Sequence, residues 1–370
     1  MKKIMLTTAM VSVITTAAVA QTTITGELRL NFSTLNADKG FASTSGTSNS
    51  SYGMGSEQQI NIQTKGKLNL GGLDYAAGFA IENDGDQTGT IFNENTYIDL
   101  TNASSGTTLS VGRDHIQRSD TDFAATNLVG FSANELSQTG TTTNQSTRFK
   151  QNIGAAPGQQ MGVALLQKTG IGTFSYNFVP NNVGVTAGAL STTSGDSAGN
   201  SGSETISGNT TNAYEYGFLG DLGVKGLQVH YFKNANSGFA TATNSVEAEA
   251  KSYGVKYNFG EITVGANKKI HQAETTITAR DSAVVGTGTG EITETAIAAA
   301  YALNKDVTIG LLYAKAEQNN LTVDQKVKAI NIGYALGPVD LAVGYAKNTN
   351  LGGIVDNDGD HFIARLIGKF

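Results

Sequence analysis

The groups with which this 370-residue chain could do chemistry are 31 carboxylates, 25 Lys and Arg, four histidines and no cysteine. Without Cys there are no thiolate nucleophiles, disulfide scaffolds or thiolate metal sites. His115, His230, His271 and His361 show no metal-binding spacing, and no distinctive motif surrounds any of them, so a metal site is not expected. Two Asp-rich patches, Glu82-Asn83-Asp84-Gly85-Asp86 and Asp356-Asn357-Asp358-Gly359-Asp360, look like fragments of calcium loops, but neither has the terminal bidentate Glu at the right spacing. They read as polar turns. One stretch stands out by charge: Asp114 to Asn144 carries Asp114, Asp120, Asp122 and Glu135 against a single Arg118. It has no sustained alternation, yet Phe123, Leu128, Val129 and Phe131 would be wasted in water, so it should pack against something. A connection of that length is functional or disordered.

The elements that must position these groups alternate with period two. Ile24, Gly26, Leu28, Leu30 and Phe32 fall on one face, and Thr25, Glu27, Arg29, Asn31 and Ser33 on the other. The pattern returns at Leu73 to Ile81, Tyr253 to Phe259, Val307 to Tyr313 and Val339 to Tyr345. Short turns are expected at Gly71-Gly72, Asn181-Asn182, Asn258 to Glu261, Asn304-Lys305 and Gly337-Pro338, where Gly, Asn and Pro supply turn angles. Long polar connections are expected at Asn36 to Ser56, Asn83 to Asn93, Ser191 to Asn212, Asn234 to Val246, Thr275 to Gly290 and Asn348 to Gly359. Short and long connections alternate, so one rim of an antiparallel meander is trimmed and the other elaborated, the layout of outer-membrane barrels. Lys168-Thr169-Gly170 reads either as a tight turn or as a mid-strand irregularity.

Composition narrows the class. With 45 Gly lacking a three-residue period, 39% hydrophobic and 15% charged residues, the chain is neither collagen nor simply disordered. Beyond the extreme N-terminus no apolar run is long enough for a membrane helix, so any membrane must be crossed by strands. Residues 1–20, with Lys2 and Lys3, the apolar Ile4 to Val19 and Ala18-Val19-Ala20, read as a secretory signal peptide cut before Gln21. That leaves 23 basic and 31 acidic residues, net −8, which argues against a nucleic-acid partner. Periodicity alone fits a water-soluble sandwich as well as a barrel. Few large residues on the would-be core faces, and Tyr and Phe near strand ends (Tyr214, Tyr216, Phe218, Tyr257, Phe259), favour a closed barrel in a membrane.

Three segments resemble the trimeric general porins of Gram-negative outer membranes. Asn95 to Leu100 followed by Thr107 to Arg113 is similar to the porin hairpin that ends in a Gly-Arg pair before the chain folds inward. Gln145-Ser146-Thr147-Arg148-Phe149 is similar to the strand that leaves that inward loop. His361 to Phe370 resembles the closing strand with its terminal Phe, although Gly368 stands where an aromatic is usual. The resemblance implies an all-β, transmembrane, antiparallel up-and-down β-barrel of 16 strands, with 18 as the upper reading. It forms a single domain over 21–370, with 114–144 as a constriction loop. It also implies a homotrimer in outer-membrane lipid, a neighbour contact by the loop at Asn83 to Asn93, and recognition of Phe370 by the barrel-assembly machinery. The implied function is passive diffusion of small hydrophilic solutes and ions, without cofactor or catalysis; calcium in the external loops is a property the family allows.

Parity places a basic wall opposite the acidic loop. Arg29 and Arg365 lie mid-strand on the polar phases of the first and last strands, which closure makes neighbours. Lys65 shares a phase with Lys67, Asn61 and Gln63, while Arg148 and Lys150 oppose Thr147 and Phe149. Arg113 shares the phase of Leu109 and Val111, and needs a bulge to reach the lumen. A charge on the lipid face costs about 2 to 4 kcal/mol at midplane, which favours the lumen for the cluster. Asp114, Asp120, Asp122 and Glu135 facing Arg29, Lys65, Arg113, Arg148, Lys150 and Arg365 would create a transverse field that favours polar solutes and releases them readily. An adhesive or structural surface barrel is the alternative, because the loops are rich in Ser, Thr, Asn and Gly; an outer-membrane hydrolase is a more distant one.

Overall fold

The computed structural model describes residues 21–38, 49–68, 72–83, 92–112, 125–137, 149, 161–179, 212–240, 245–273, 290–319 and 322–370. Sixteen strands close into one antiparallel barrel in which each pairs with its neighbours in sequence and the last with the first. They are β1 (Gln21–Ala37), β2 (Asn49–Lys67), β3 (Leu73–Asn83), β4 (Phe92–Asn102), β5 (Thr107–Gly112), β6 (Gly162–Thr169), β7 (Gly172–Val179) and β8 (Ala213–Gly220). The second half comprises β9 (Leu227–Ala240), β10 (Ser245–Asn258), β11 (Ile262–Ala273), β12 (Gly290–Ala302), β13 (Val307–Gln318), β14 (Gln325–Ala335), β15 (Val339–Thr349) and β16 (Gly359–Lys369). Sixteen is therefore the count, and 18 is excluded. Gly170-Ile171 is a hairpin turn between β6 and β7. The short turn expected at Asn181-Asn182 lies outside the described residues.

Turn chemistry explains the trimmed rim. The side chain of Asn102 accepts the backbone N–H groups of Ser104 and Ser105 at 3.1 and 3.2 Å, and Asn304 accepts those of Asp306 and Val307 at 2.8 and 2.9 Å. Asp221 accepts Gly223 N–H at 2.9 Å in the same way. Each side chain mimics a backbone turn partner. In the β4–β5 turn Gly106 has φ 72°, and a Cβ there would stand 2.7 Å from the Lys168 carbonyl oxygen, so both angle and space require glycine. On the other rim some expected loops are shorter than the sequence suggests. β9 continues to Ala240 and β10 begins at Ser245, and β1 and β2 run on to Ala37 and from Asn49. Polar residues there extend the ladder because every paired backbone group is satisfied.

The outside of the wall is apolar and the alternation is visible in exposure: Ile24, Ile98, Ile297 and Leu311 are 55%, 55%, 60% and 58% exposed. Tyr313 and Tyr345 stand toward the elaborated rim and Tyr257, Phe259, Tyr301 and Tyr334 toward the trimmed one, while Tyr216, Tyr231 and Tyr253 stand in the middle of the wall. Tyr231 and Tyr253 rings lie 5.3 Å apart and Tyr257 and Phe259 rings 5.9 Å apart. Tyr257, Phe259, Tyr301 and Tyr334 form an aromatic girdle at the trimmed edge of the aliphatic band, as in a membrane barrel. At the seam Phe370 exchanges both backbone hydrogen bonds with Gly26 (2.7 and 3.0 Å) and lays its ring over that glycine, where any side chain would collide.

Candidate functional site

The site is the barrel lumen and the segment 125–137 that lies inside it. The inner faces of β11 to β15 carry many small residues: Gly265, Ala296, Ala298, Gly310, Ala314, Ala316, Ala329, Ala342, Gly344 and Ala346. Into the shallow bed they leave, the segment lowers Phe131 and Leu136, both fully buried, and Phe149 joins them at 2% exposure. The fit is close. A Cβ at Gly265 would collide with the Ala125 carbonyl oxygen, and one at Gly344 would come within 3.0 Å of both Phe131 and Leu136. Fully burying such side chains stabilises by about 1.5 to 3 kcal/mol each, enough to hold a loop against a wall.

Local sequence shapes the segment. Gly130, at φ 79°, reverses the chain against Ala342. Ser132-Ala133-Asn134-Glu135 is a capping box: Ser132 N–H and Oγ–H both donate to Glu135 Oε2 at 2.7 and 2.9 Å, and Glu135 N–H donates to Ser132 Oγ at 3.3 Å. It starts a single 3-10 turn, Glu135–Ser137. Asn134 Nδ2 donates to the Phe149 carbonyl at 2.6 Å, and Asn348 Nδ2 on β15 to the Leu136 carbonyl at 3.2 Å.

The other Glu135 oxygen faces the wall. Arg365 on β16 donates from Nη2 to Glu135 Oε1 at 2.6 Å, from Nη1 to the Gly130 carbonyl at 3.2 Å and from Nε to Asn31 Oδ1 at 2.8 Å; its guanidinium lies 4.9 Å from the Phe131 ring centre. One planar cation with its donors in a fixed fork thus ties two points of the loop to β1 and β16. Glu135 and Arg365, expected to oppose one another across water, are in contact instead.

The remaining basic positions divide. Arg29 pairs in register with Ile367 while Arg365 pairs with Asn31, so the two arginines are diagonal neighbours on one face. Arg29 is clamped between Glu27 and Glu57, the latter accepting from Nη1 at 2.9 Å. Lys65 is register partner of Gln21, near the trimmed rim and away from the loop. Arg113, Asp114, Asp120, Asp122, Arg148 and Lys150 lie outside the described residues. Sequence reasoning missed the tether formed by Asn31, Asn348 and the Ser132–Glu135 box; the S-x-x-E spacing was its one legible sign. Further polar groups line the opposite wall, with Asn177 donating to Glu215 at 2.9 Å and Gln59 to Glu82 at 3.2 Å. In the Asp-rich turn after β15, Asp358 accepts the Asn350 N–H at 3.1 Å, the work of a turn residue. Among the described residues no group of three His, Asp or Glu is placed to hold a metal.

A closed barrel with an apolar outside, a polar inside and a loop folded against one inner wall defines a diffusion channel of the outer membrane. The model of the Gram-negative porin family matches residues 7–361, and the chain belongs to that family. The anion-selective porin of Comamonas acidovorans has the same fold, with a TM-score of 0.65 at 14% identity over 95% of this chain and 100% of that one. OmpF of Salmonella typhi, solved with daunomycin, gives 0.59 at 12% over 95% and 98%. The trimer form of Vibrio cholerae OmpT gives 0.56 at 11% over 95% and 99%. Comparison with curated proteins finds no match. The protein is an outer-membrane β-barrel porin, a water-filled channel for passive diffusion of small hydrophilic solutes and ions.

Proposed function

We propose that segment 114–144 sets the width of this channel and that the Arg365–Glu135 tether holds it in place. The observation that carries this reading is the convergence on Arg365 of Glu135, Gly130 and Phe131 from the loop and Asn31 from β1. Solutes then pass between the loop and the polar wall of β2 to β9. Asp114, Asp120 and Asp122 contribute acid to that passage, and Arg113, Arg148 and Lys150 contribute base, while Lys65 lies near the trimmed rim.

The net preference is weakly for cations. Arg365 is neutralised by Glu135, and Arg29 by two carboxylates that leave its cluster net negative. The gap is comparable to a Debye length, about 8 Å at physiological salt, so the preference fades as salt rises. It would separate this chain from the anion-selective Comamonas porin. Reversal potentials in planar bilayers under a salt gradient test it: a cation-directed potential that collapses in molar salt is expected, and an anion-directed one would refute it.

The working unit is a homotrimer with one pore per subunit, exported after cleavage before Gln21 and assembled through the Phe370 end. The trimer form of the OmpT relative supports the first point, and the composition of residues 1–20 the second. Light scattering of purified protein and mass spectrometry of its N-terminus test them. A monomer with full conductance, or retention of Met1 on functional protein, would remove the respective claim.

A further inference from the structure

The inner face of the barrel changes sign along the pore axis. Five lysines stand on lumen phases within two residues of the trimmed end of their strands: Lys65 and Lys67 on β2, Lys168 on β6, Lys256 on β10 and Lys369 on β16. Their inward direction follows from their neighbours. Lys65 and Lys67 share the phase of Glu57, which binds Arg29, and Lys168 shares that of the buried Ala164. Lys256 is register partner of Gly265, where a side chain would strike the loop at Ala125, and Lys369 is in phase with Arg365, which holds the loop. Among the described residues the inward carboxylates at this mouth are Asp74 and Asp340, and five lysines against two carboxylates leave it net +3. Lys369 reaches Asp340 at 3.6 Å; Lys65, Lys67 and Lys168 are exposed and Lys256 is half-buried, and none of these four makes a salt bridge among the described residues.

Deeper in the lumen the balance reverses. Glu27, Glu57, Glu82, Asp99, Glu215 and Glu294 on the wall, with Glu135 from the loop, face Arg29, Lys269 and Arg365, so seven carboxylates against three basic groups give net −4 among the described residues. A ring of ammonium groups at a pore mouth attracts anions and repels cations, and a carboxylate-rich lumen does the opposite. The salt that bathes each region sets how far its charges act. The Debye length is about 10 Å in 0.1 M salt and about 3 Å in 1 M, so across a salt gradient the charges at the dilute end dominate.

We infer that the lysines of the trimmed mouth are a second selectivity element, opposite in sign to the lumen above them. The channel therefore favours cations more strongly when the dilute solution lies at the elaborated rim than when it lies at the trimmed rim. A cation arriving from the elaborated side meets attraction first, whereas one arriving from the trimmed, periplasmic side must first pass the lysines. Anions experience the reverse. The inference refines the proposed cation preference and rests on the same reading of the lumen.

Reversal potentials of the assembled full-length protein between about 0.1 M and about 1 M potassium chloride test it, with the gradient set in each direction. The chain has no cysteine, so Lys305→Cys in the exposed β12–β13 turn, labelled by a polymer-linked maleimide too large for the pore, shows which compartment the trimmed rim faces. Every protein compared carries it. The parent's cation-to-anion permeability ratio should be about 2-fold higher with the dilute side at the elaborated rim, and in molar salt on both sides conduction should be ohmic. Combining Lys65→Gln, Lys67→Gln, Lys168→Gln and Lys256→Gln should raise the lower ratio to the level of the higher one, and Lys65→Gln with Lys67→Gln should close about half of the gap. Lys268→Gln, which removes the same charge from the outer face of β11, should change neither ratio. Heat-dependent gel migration checks that each variant is a folded barrel; should the fourfold variant fail, the double variant decides. Equal ratios in both directions for the parent, a gap that survives removal of the lysines, or a gap lost in Lys268→Gln would each overturn the inference. Equal ratios that still favour cations would leave the proposed cation preference standing. Anion-directed potentials in both directions, with the gap intact, would remove that preference and not the change of sign along the axis.

Discussion

The two halves of this barrel solve different problems with the same alternating strand. On β12 to β15 the inward positions are mostly Gly and Ala, and the loop segment covers them with Phe131 and Leu136 to make an apolar core. On β1 to β5 and β7 to β9 the inward positions carry Arg29, Glu57, Gln59, Glu82, Asn177 and Glu215, and neighbouring side chains satisfy one another. The small-residue wall anchors the loop, and the polar wall is the one proposed to line the conduit. A pleated wall thus accepts a loop where its side chains shrink and keeps water where they become polar. What distinguishes the regions is residue size and polarity on one face, with no change in backbone architecture.

The sharpest way to break this division is to fill the small-residue bed. Gly344→Leu should expel Phe131 and Leu136 from their seat, at a cost of about 1 to 3 kcal/mol for overpacking a fitted contact. The barrel should persist, since its ladder is untouched. Single-channel conductance should rise and the loop should become accessible to protease. A variant that conducts and resists protease like the parent would show that the seat does not hold the loop.

Cutting the tether should have a similar but smaller effect. Arg365→Gln removes hydrogen bonds to a charged partner, each worth about 1.5 to 3 kcal/mol, though part exposure of both groups, 15% and 22%, reduces this. Larger and noisier conductance is expected. Glu135→Gln should do nearly the same, and the double variant should cost less than the sum of the single ones, because both remove the ion pair they share. Simple additivity would place the two residues in separate roles.

Much of this contrast was legible in the sequence, for a reason that also marks where legibility stops. The period-two runs at Ile24 to Phe32 and Val339 to Tyr345 fix which side chains face lipid, because one apolar face must be buried in hydrocarbon. Short turns with Asn and Gly announce the trimmed rim through local backbone needs. The outward lysines were not legible. Lys315, Lys326, Lys328 and Lys347 stand in phase with Leu311, Ile330 and Val343, and only the depth of each strand end tells that they lie above the hydrocarbon, where charge costs about 0 to 1 kcal/mol. The partnership of Glu135 with Arg365 joins residues 230 positions apart, and no local pattern predicts such a pair. The Ser132–Glu135 capping box, by contrast, is a local signal that could have located the turn inside the loop.

Two further changes sharpen the conduit side. Arg29→Gln with Arg148→Gln should move the reversal potential toward cations at low salt, since Glu27 and Glu57 lose their counter-charge. Asp120→Asn with Asp122→Asn should move it toward anions. If both pairs keep the parental potential, the loop and wall do not set selectivity. The smallest expected effect is from Asn348→Ala, which deletes one buried hydrogen bond to the Leu136 carbonyl and should cost the docked loop about 1 kcal/mol. A modest gain in proteolysis rate, with conductance close to parental, would register it.

The account turns on a loop that narrows a passive aqueous pore from within. The most direct measurement is the size cut-off of the channel for neutral polyethylene glycols, read as the polymer mass that no longer lowers single-channel conductance, in the parent and in Gly344→Leu. The parent should conduct ohmically and exclude smaller polymers than the variant does. A parent that does not conduct, or a cut-off identical in both proteins while the variant's loop is cleaved by protease, would contradict the claim.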